Sequence, residues 1–446
     1  MKSKILVIGV MLMVALTSNS QFVVKPLNYQ VPGDYYVPVY FSIVDNDNTW
    51  IGTNHFLSNF EFSTYTYAVH TTDRGETWIF DSIPVPGLPA ITSVSAVDEN
   101  ICYYTFIDNL IEGDVWKTID GGSTWDRKTT NEFNGGFLNF YHAFNADDGI
   151  AVGDPNGGYF EIYRTTDGGD TWIRITTENI PEPLEEEYGY TSGFAVNGNT
   201  IWFSTWKGRC FKSEDQGQTW TVSSVDDDMN IGGYQVTFST PSLGVFFDQC
   251  TSSNFWRTSD GGISWVIDSL QDGRIVCVVD AVDGFDGGFV VSSWDEVSNL
   301  VNVFFTPDFF SSIMVLDSNL ASTVSISFDG SETGWLGGSG YYNNAIFEFS
   351  GIITSLGEAA KRHDNLSIVP NPSSSEALIK IPTSLDSKPC QIFIQDMSGK
   401  TVGQQTISNS TGWFKLNAMP YSNGIYIIEV FSDKKLIATE RWIISH

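Results

Sequence analysis

The chain has 446 residues, of which 41% are hydrophobic and 14% aromatic, so it can bury more than one core. Its 53 Asp and Glu residues outnumber its 23 Lys and Arg residues and give a formal net charge of -30. Such a charge repels phosphate backbones and anionic membrane surfaces, so nucleic acid is not expected as a partner.

The first twenty residues have the pattern of a secretory signal peptide. Lys2 and Lys4 precede an apolar run from Ile5 to Leu16, and small residues follow up to Ser20. That run of about 12 residues is shorter than the roughly 20 that a bilayer span needs, and no later run approaches that length. We therefore expect residues 1–20 to be removed and the mature chain to be exported without a transmembrane segment.

A sequence box recurs along the chain with a period near 47 residues, in the pattern Ser/Thr-x-Asp-x-Gly-x-Thr/Ser-Trp. Its copies are TTDRGETW at 71–78, TIDGGSTW at 118–125, TTDGGDTW at 165–172, SEDQGQTW at 213–220 and TSDGGISW at 258–265. Their aspartates are Asp73, Asp120, Asp167, Asp215 and Asp260. The segment TPDFFSSI around Asp308 is a sixth, degenerate copy. A fixed period of this size indicates a propeller or a solenoid.

An alternating apolar segment with a polar turn stands before each of these six boxes, and a seventh follows them. The first is VYFSIVDNDNTWIGT from Val39 and the last is TVSISFDGSETGWLGG from Thr323. Each segment predicts two strands and each box predicts a second hairpin, so one period makes a four-stranded antiparallel blade. Residues 21–354 are therefore predicted to form an all-β, seven-bladed β-propeller, with a strand near Phe22 to Leu27 completing the last blade beside AIFEFSG.

The boxes resemble the Asp-box, or bacterial neuraminidase (BNR) repeat, of sialidases, sortilin-type receptors, xyloglucanases and photosystem II assembly-factor propellers. This resemblance implies the fold, and it places the boxes between third and fourth strands, opposite the ligand funnel. It implies no single activity, because this blade type carries many functions. No Arg-Ile-Pro segment precedes the first box, so no sialidase residue is carried over.

The box aspartates are interpreted as structural. A short carboxylate can accept the unpaired N–H groups of a tight turn, while glycine supplies the positive φ and tryptophan covers the turn. A basic or near-basic residue stands three positions before each aspartate: His70, Lys117, Arg164, Lys212 and Arg257. We interpret these as strand positions that pair with the acidic surface; the alternative is a ring that binds an anion.

Asp154 differs from the box aspartates because it has no counterpart in the other blades. It lies in one of the predicted funnel loops, 52–65, 105–113, 153–158, 177–189, 223–233 and 292–300. The loop 177–189 adds Glu185, Glu186 and Glu187. Asp154, Glu186 and Glu187 are therefore the catalytic candidates, as acid and base of a glycosidase, and they could equally bind Ca²⁺. In the alternative, Asp154 caps its own turn and the glutamates are solvated.

Aromatic residues near the same loops could form a platform for stacking sugars. They are Tyr141, His142, Tyr188, Tyr190, Trp206 and Trp294. The alternative role for them is packing within the blades.

The five cysteines form no CxxC pair and no close cluster with histidine, so a structural zinc site is not expected. Export permits a disulfide, and Cys210 with Cys250, on neighbouring repeats, is the pair that we predict. No resident cofactor is expected beyond the Ca²⁺ already considered.

The repeat stops before residues 355–365, which read as a linker, and residues 366–446 predict a small β-sandwich. The ordered motifs VPNP, DMSGK and NGIYIIEV closely resemble the type A sorting domain of the type IX secretion system. This resemblance implies passage across the outer membrane by that machinery, followed by release or by attachment to the cell surface.

Three functions remain open at this point. The first is a secreted or surface-displayed propeller that binds a glycan or a surface protein without catalysis. The second is a glycoside hydrolase or lyase that uses the funnel carboxylates. The third is a scaffold for the assembly of surface complexes, which rests on fold analogy alone.

Overall fold

The structure is a computed structural model. It describes residues 22–27, 35–57, 61, 63–107, 112–225, 232–270, 273–296, 300–320, 323, 325–330, 332–338, 345–349, 353, 367–369, 373–380, 390–396, 400–407, 413–432, 435–444 and 446. The predicted signal peptide and linker lie outside these residues, as do parts of the predicted loops 52–65, 105–113, 223–233 and 292–300. The chain divides into two compact units, Met1–Ile353 and Thr354–His446.

The described part of the first unit forms seven four-stranded antiparallel sheets, which we number as blades 1 to 7. In chain order the strands are β1 Phe22–Pro26; blade 1, β2 Tyr35–Ile43, β3 Thr49–Phe56, β4 Thr66–Thr71, β5 Ile79–Ile83; blade 2, β6 Ala90–Ala96, β7 Cys102–Ile107, β8 Gly113–Thr118, β9 Asp126–Arg127; blade 3, β10 Leu138–Ala143, β11 Asp148–Pro155, β12 Phe160–Thr166, β13 Ile173–Arg174; blade 4, β14 Gly189–Asn197, β15 Thr200–Thr205, β16 Arg209–Ser213, β17 Thr221–Ser224; blade 5, β18 Tyr234–Phe238, β19 Gly244–Asp248, β20 Asn254–Thr258, β21 Val266–Ser269; blade 6, β22 Ile275–Ala281, β23 Phe289–Asp295, β24 Leu300–Thr306, β25 Met314–Leu320; and blade 7, β26 Ser325–Asp329, β27 Thr333–Gly337, β28 Ala345–Phe349. A short 3-10 helix, Thr177–Asn179, lies between blades 3 and 4.

The ring is closed by the N-terminal strand. Strand β1 pairs antiparallel with β28, with Phe22 opposite Phe349, which completes blade 7 as the sequence predicts. The first strands of consecutive blades contact one another around the whole ring, including β26 with β2. Turns between first and second strands, and between third and fourth strands, lie on one face, which we call the box face. The remaining connections lie on the opposite, funnel face.

The core lies between neighbouring blades. One cluster joins Trp50 of blade 1 to Val94 and Tyr104 of blade 2, and another joins Phe140 of blade 3 to Phe203 of blade 4. Because the middle strands are covered on both sides, they are apolar on both sides, and fully burying one such side chain stabilises the fold by about 1.5–3 kcal/mol. The blades therefore form a rigid support for the loops on both faces.

The central channel is lined by the first strands. Strand β14 contains an irregularity between Gly189 and Phe194. Tyr40 of blade 1 and Ser192, which lies in this segment of blade 4, both line the channel.

The predicted disulfide between Cys210 and Cys250 is wrong. Cys250 is bonded to Cys277, with their Cα atoms 4.2 Å apart. Cys210 is buried in the core between blades 4 and 5, whereas Cys250 lies on the funnel face, where its N–H donates to the carbonyl of Val276 at 2.9 Å. The disulfide therefore joins blades 5 and 6, and the buried Cys102, Cys210 and Cys390 take no part in it.

The second unit contains two antiparallel sheets over its described residues. Their strands are β29 Ser367–Val369, β30 Glu376–Lys380, β31 Cys390–Asp396, β32 Thr401–Ile407, β33 Trp413–Asn417, β34 Gly424–Ser432 and β35 Lys435–Ile444. The sheet orders are β29-β30-β33 and β32-β31-β34-β35. Side chains from both sheets share one core, to which Ile379, Ile392 and Leu416 contribute.

Candidate functional site

The box aspartates are fully engaged within their own turns. At Asp167, Oδ1 accepts hydrogen bonds from the Thr165 hydroxyl and the Thr171 N–H, both at 2.8 Å, and Oδ2 accepts the Thr171 hydroxyl at 2.6 Å. Gly169, with a φ of 94°, donates its N–H to the Thr165 hydroxyl. The bond from the Thr171 hydroxyl is the main cause that lowers the pKa of Asp167. All three bonds come from within the box, so this carboxylate stabilises its own turn.

Three of the basic residues before the boxes connect their blade to the next: Lys117, Arg164 and Arg257. Lys117 donates to the Gly168 carbonyl at 3.3 Å, and Arg257 donates to the Phe309 carbonyl at 2.8 Å. In both cases the acceptor lies in the box of the following blade. Arg257 also pairs with Asp268 at 2.6 Å, as the interpretation of acidic pairing expects, but the carbonyl contacts were not expected. These cations therefore stabilise the contacts between blades.

His70 occupies the same position in blade 1 but is not a cation there. It stacks on Trp50 with ring centroids 4.2 Å apart, and burial lowers its pKa to about 4. A neutral, buried imidazole does not contribute to an anion-binding ring.

Asp154 lies on the funnel face between blades 3 and 4. Its Oδ1 accepts hydrogen bonds from Asn139 Nδ2 and from the N–H of Gly189, both at 2.8 Å. Gly189 begins blade 4, so this carboxylate connects two blades instead of capping its own turn. Burial raises the pKa of Asp154 to about 6, and the two hydrogen bonds act in the opposite direction. No hydrogen bond reaches its Oδ2 from the residues described.

Glu187 anchors the loop that enters blade 4. Its side chain is 0% exposed and pairs with Arg209 at 2.7 Å. It also accepts the Thr205 hydroxyl at 2.6 Å and the Leu184 N–H at 2.8 Å. The neighbouring Glu186 is exposed and has a φ of 54°. Among the predicted glutamates, Glu187 is thus occupied by structural contacts and Glu186 points to solvent.

Two of the predicted aromatic residues are brought together beside Asp154. Tyr188 is 50% exposed and Trp206 is 37% exposed. The backbone N–H of Trp206 donates a hydrogen bond to the Tyr188 carbonyl at 2.9 Å. Tyr188 directly precedes Gly189, whose backbone N–H donates to Asp154. We call Tyr188 and Trp206 the aromatic pair.

The other predicted aromatics lie elsewhere. Tyr141 is buried against Tyr103, with ring centroids 4.6 Å apart, and His142 lines the central channel. Tyr190 donates to Gln249 Oε1 at 3.3 Å, and Trp294 packs on the core between blades 6 and 7. These four side chains do not join the aromatic pair.

Asn139, Thr205 and Arg209 support this site and were not predicted. Arg209 did carry a signal, because it is a basic residue of a third strand and does not occupy the position three residues before a box aspartate. Asn139 carried no signal, because its role depends on an irregularity in the pairing of β10 with β11.

The described residues show neither a metal-binding cluster nor a membrane-spanning helix. They contain no group of three or more His, Cys, Asp or Glu side chains placed to hold a metal ion. They also contain no helix that is both long and apolar enough to cross a membrane.

Comparison with known proteins gives a family for the C-terminal unit. Residues 367–445 match the model of the secretion system C-terminal sorting domain. This domain marks the chain for export by the type IX secretion system, so the protein reaches the cell surface or the extracellular space. A search of the curated proteins gave no significant match.

Solved structures resemble the propeller. The structure of YCF48 bound to D1 peptide matches with a TM-score of 0.53 and 14% identity, covering 74% of this chain and 99% of that one. YCF48 from Cyanidioschyzon merolae gives the same TM-score and identity and is covered over 98% of its length. The GH74 enzyme of Niastella koreensis gives a TM-score of 0.46 at 11% identity, covering 89% of this chain and 70% of that one. At these identities the first two matches show the fold alone: the protein is an exported β-propeller that carries a C-terminal sorting domain.

Proposed function

We propose that the exported propeller is a non-catalytic module that binds an extracellular glycan at the aromatic pair. The observation that carries this proposal is that Tyr188 and Trp206 are both exposed and are joined by a backbone hydrogen bond. Aromatic rings can cover the apolar faces of sugar rings, and a few placed polar groups then set the orientation. Asp154, whose Oδ1 is bonded to the residue after Tyr188, supplies such a polar group.

Preorganisation supports the same proposal. Glu187 precedes Tyr188 and accepts a hydrogen bond from Thr205, which precedes Trp206. Arg209 completes this contact with its ion pair to Glu187. Both aromatic residues therefore follow directly on anchored residues, so little entropy is lost when a ligand binds.

The engagement of Glu187 in structural contacts favours binding over catalysis. A glycosidase needs an acid and a partner carboxylate about 5–9.5 Å apart. Glu187 would have to give up Arg209, Thr205 and Leu184 to act as that partner.

The test measures binding of the full mature chain to a polysaccharide and glycan panel. Trp206→Ala and Tyr188→Ala are each expected to weaken binding at least tenfold. Tyr65→Ala is the matched control, because Tyr65 is 65% exposed and precedes β4 on the funnel face of blade 1. Binding that survives both substitutions in the aromatic pair would overturn the proposal.

A glycoside hydrolase or lyase is the second candidate, and one observation favours it. The raised pKa of Asp154, about 6, suits a group that donates a proton near neutral pH. Release of reducing ends, measured with and without Ca²⁺, tests this candidate. Turnover that Asp154→Asn abolishes would establish an enzyme, whereas binding without turnover supports the module.

A further inference from the structure

The box-face half of the central channel contains a cavity. Its volume is about 470 Å³, within the range of small-molecule sites. Tyr40 of blade 1 and Ser192 of blade 4 are among the residues that line it. The cavity lies on the opposite face from the aromatic pair, because its lining comes from the ends of first strands that lead into the box-face turns.

Two polar side chains in this cavity have unused hydrogen-bonding groups. Gln235 is 7% exposed and lines the cavity, and no described residue forms a hydrogen bond with its amide. His142 also lines the cavity without a hydrogen bond to any described side chain or backbone group. Burial lowers the pKa of His142 to about 4, so near neutral pH it is an uncharged donor and acceptor. A buried amide without a partner is costly unless a ligand or water satisfies it.

One wall of the cavity is acidic. Asp280 and Asp283 come from blade 6, and Asp329 comes from blade 7. Asp280 Oδ2 accepts the Phe328 N–H at 2.9 Å, whereas Asp283 and Asp329 are exposed at the mouth. None of the lining residues that the structure describes is Lys or Arg.

Burial, with a smaller contribution from mutual repulsion, disfavours the charged forms of Asp280 and Asp329. Burial raises the pKa of Asp280 to about 7, and the charge of Asp283 adds to the effect. Burial also raises the pKa of Asp329, with smaller contributions from Asp283 and Asp45. A cation in the cavity would offset this repulsion.

We propose that this cavity binds a small molecule with a protonated amine on a hydroxyl-bearing body, the chemistry of an amino sugar. The amine faces Asp280, Asp283 and Asp329, and the hydroxyl groups bond to Gln235 and His142. This site and its ligand class are independent of glycan binding at the aromatic pair.

The test is isothermal titration calorimetry of the full mature chain with glucosamine and with N-acetylglucosamine. N-acetylglucosamine has the same sugar ring, but its nitrogen is a neutral amide. Glucosamine is expected to bind at least tenfold more tightly. Putrescine, an amine without hydroxyl groups, is expected to bind more weakly than glucosamine. Equal affinity for both sugars, or no binding of either amine, would overturn the proposal.

Variants place the binding in the cavity. The double substitution Asp283→Asn and Asp329→Asn removes two exposed charges and is expected to weaken glucosamine binding at least tenfold. Asp286→Asn is the matched control, because Asp286 is exposed on the same turn and does not line the cavity. Gln235→Leu should weaken glucosamine but not putrescine.

Two results separate this proposal from others. Trp206→Ala should leave glucosamine binding unchanged, so a loss in that variant would assign the binding to the aromatic pair. If Ca²⁺ binds with the same dependence on Asp283 and Asp329 while the amines do not, the site is a metal site and the proposal fails.

Discussion

The two faces of the propeller connect their blades in different ways. On the box face the same contact recurs, since Lys117 and Arg257 each reach carbonyl groups in the following box. On the funnel face each connection occurs once: Asp154 joins blades 3 and 4, and a disulfide joins blades 5 and 6. The repeat thus maintains the ring on the box face, which leaves the funnel face free to carry individual sites.

The carboxylates show the same difference. Hydrogen bonds within their turns lower the pKa of the box aspartates, to about 2 at Asp260. Burial raises the pKa of Asp154 on the funnel face to about 6. Repeated carboxylates are stabilised as anions, whereas the single one is held closer to its neutral form.

The largest effect is expected from Arg209→Met on the funnel face. It leaves the buried charge of Glu187 without its partner, which should lower the free energy of unfolding of the propeller by about 3–5 kcal/mol in urea titrations. Replacing Glu187 by Met as well should recover most of the loss. A single substitution that costs less than about 1 kcal/mol would show that the loop is not anchored by this pair.

The second-largest effect on the free energy of unfolding is expected from removing the disulfide on the funnel face. Replacing both Cys250 and Cys277 by Ser should lower the free energy of unfolding by about 3 kcal/mol, because the bond closes a loop of 27 residues. Reduced wild-type protein should unfold at the same urea concentration as the double variant. If the reductant lowers the urea midpoint of the wild type and of the double variant equally, loss of the disulfide is not the cause of the destabilisation.

A smaller effect is expected on the box face from Asp215→Ala. The substitution leaves the N–H and hydroxyl of Thr219 without their acceptor and should cost about 1–2 kcal/mol. Glu214→Gln is the control, because the exposed pair of Glu214 with Lys212 contributes under about 1 kcal/mol. Equal costs for the two variants would remove the distinction between box and surface carboxylates.

The last expected effects are changes in the pH dependence of the free energy of unfolding, and they have opposite signs on the two faces. The pKa of Asp154 in the folded protein lies above the ordinary value of an aspartate, so its contribution to stability is present below about pH 4 and is lost as the pH rises through about 6. The pKa of Asp260 in the folded protein lies below that ordinary value, so its contribution to stability is lost as the pH falls through about 2. Asp154→Asn and Asp260→Asn should each flatten one of these slopes in unfolding curves measured against pH. For the solvent-exposed Asp260 the change should be about 1 kcal/mol or less because of solvent screening. If the two variants changed the pH dependence of stability in the same direction, the opposite pKa shifts of Asp154 and Asp260 would be contradicted.

Local, repeated features could be predicted from the sequence, and contacts between distant segments could not. The box turn at Asp167 follows from eight consecutive residues, and the pairing of β1 with β28 follows from counting repeats. The disulfide partner of Cys250 depends on how blades 5 and 6 pack against each other. The position of Tyr188 depends on the buried ion pair between Glu187 and Arg209, which are 22 residues apart in the sequence. Neither contact recurs with the repeat, so neither produces a periodic pattern in the sequence.

The closure of blade 7 by β1 has a consequence for the order of folding. Phe22 and Phe349 are separated by more than three hundred residues, so this pairing carries the largest loop-closure entropy of the propeller strands. Strand β1 can find its partner only after the rest of the propeller, up to and including β28, has been synthesised. Until then the last blade lacks its outermost strand, so the propeller is completed late, at the seam between its two ends.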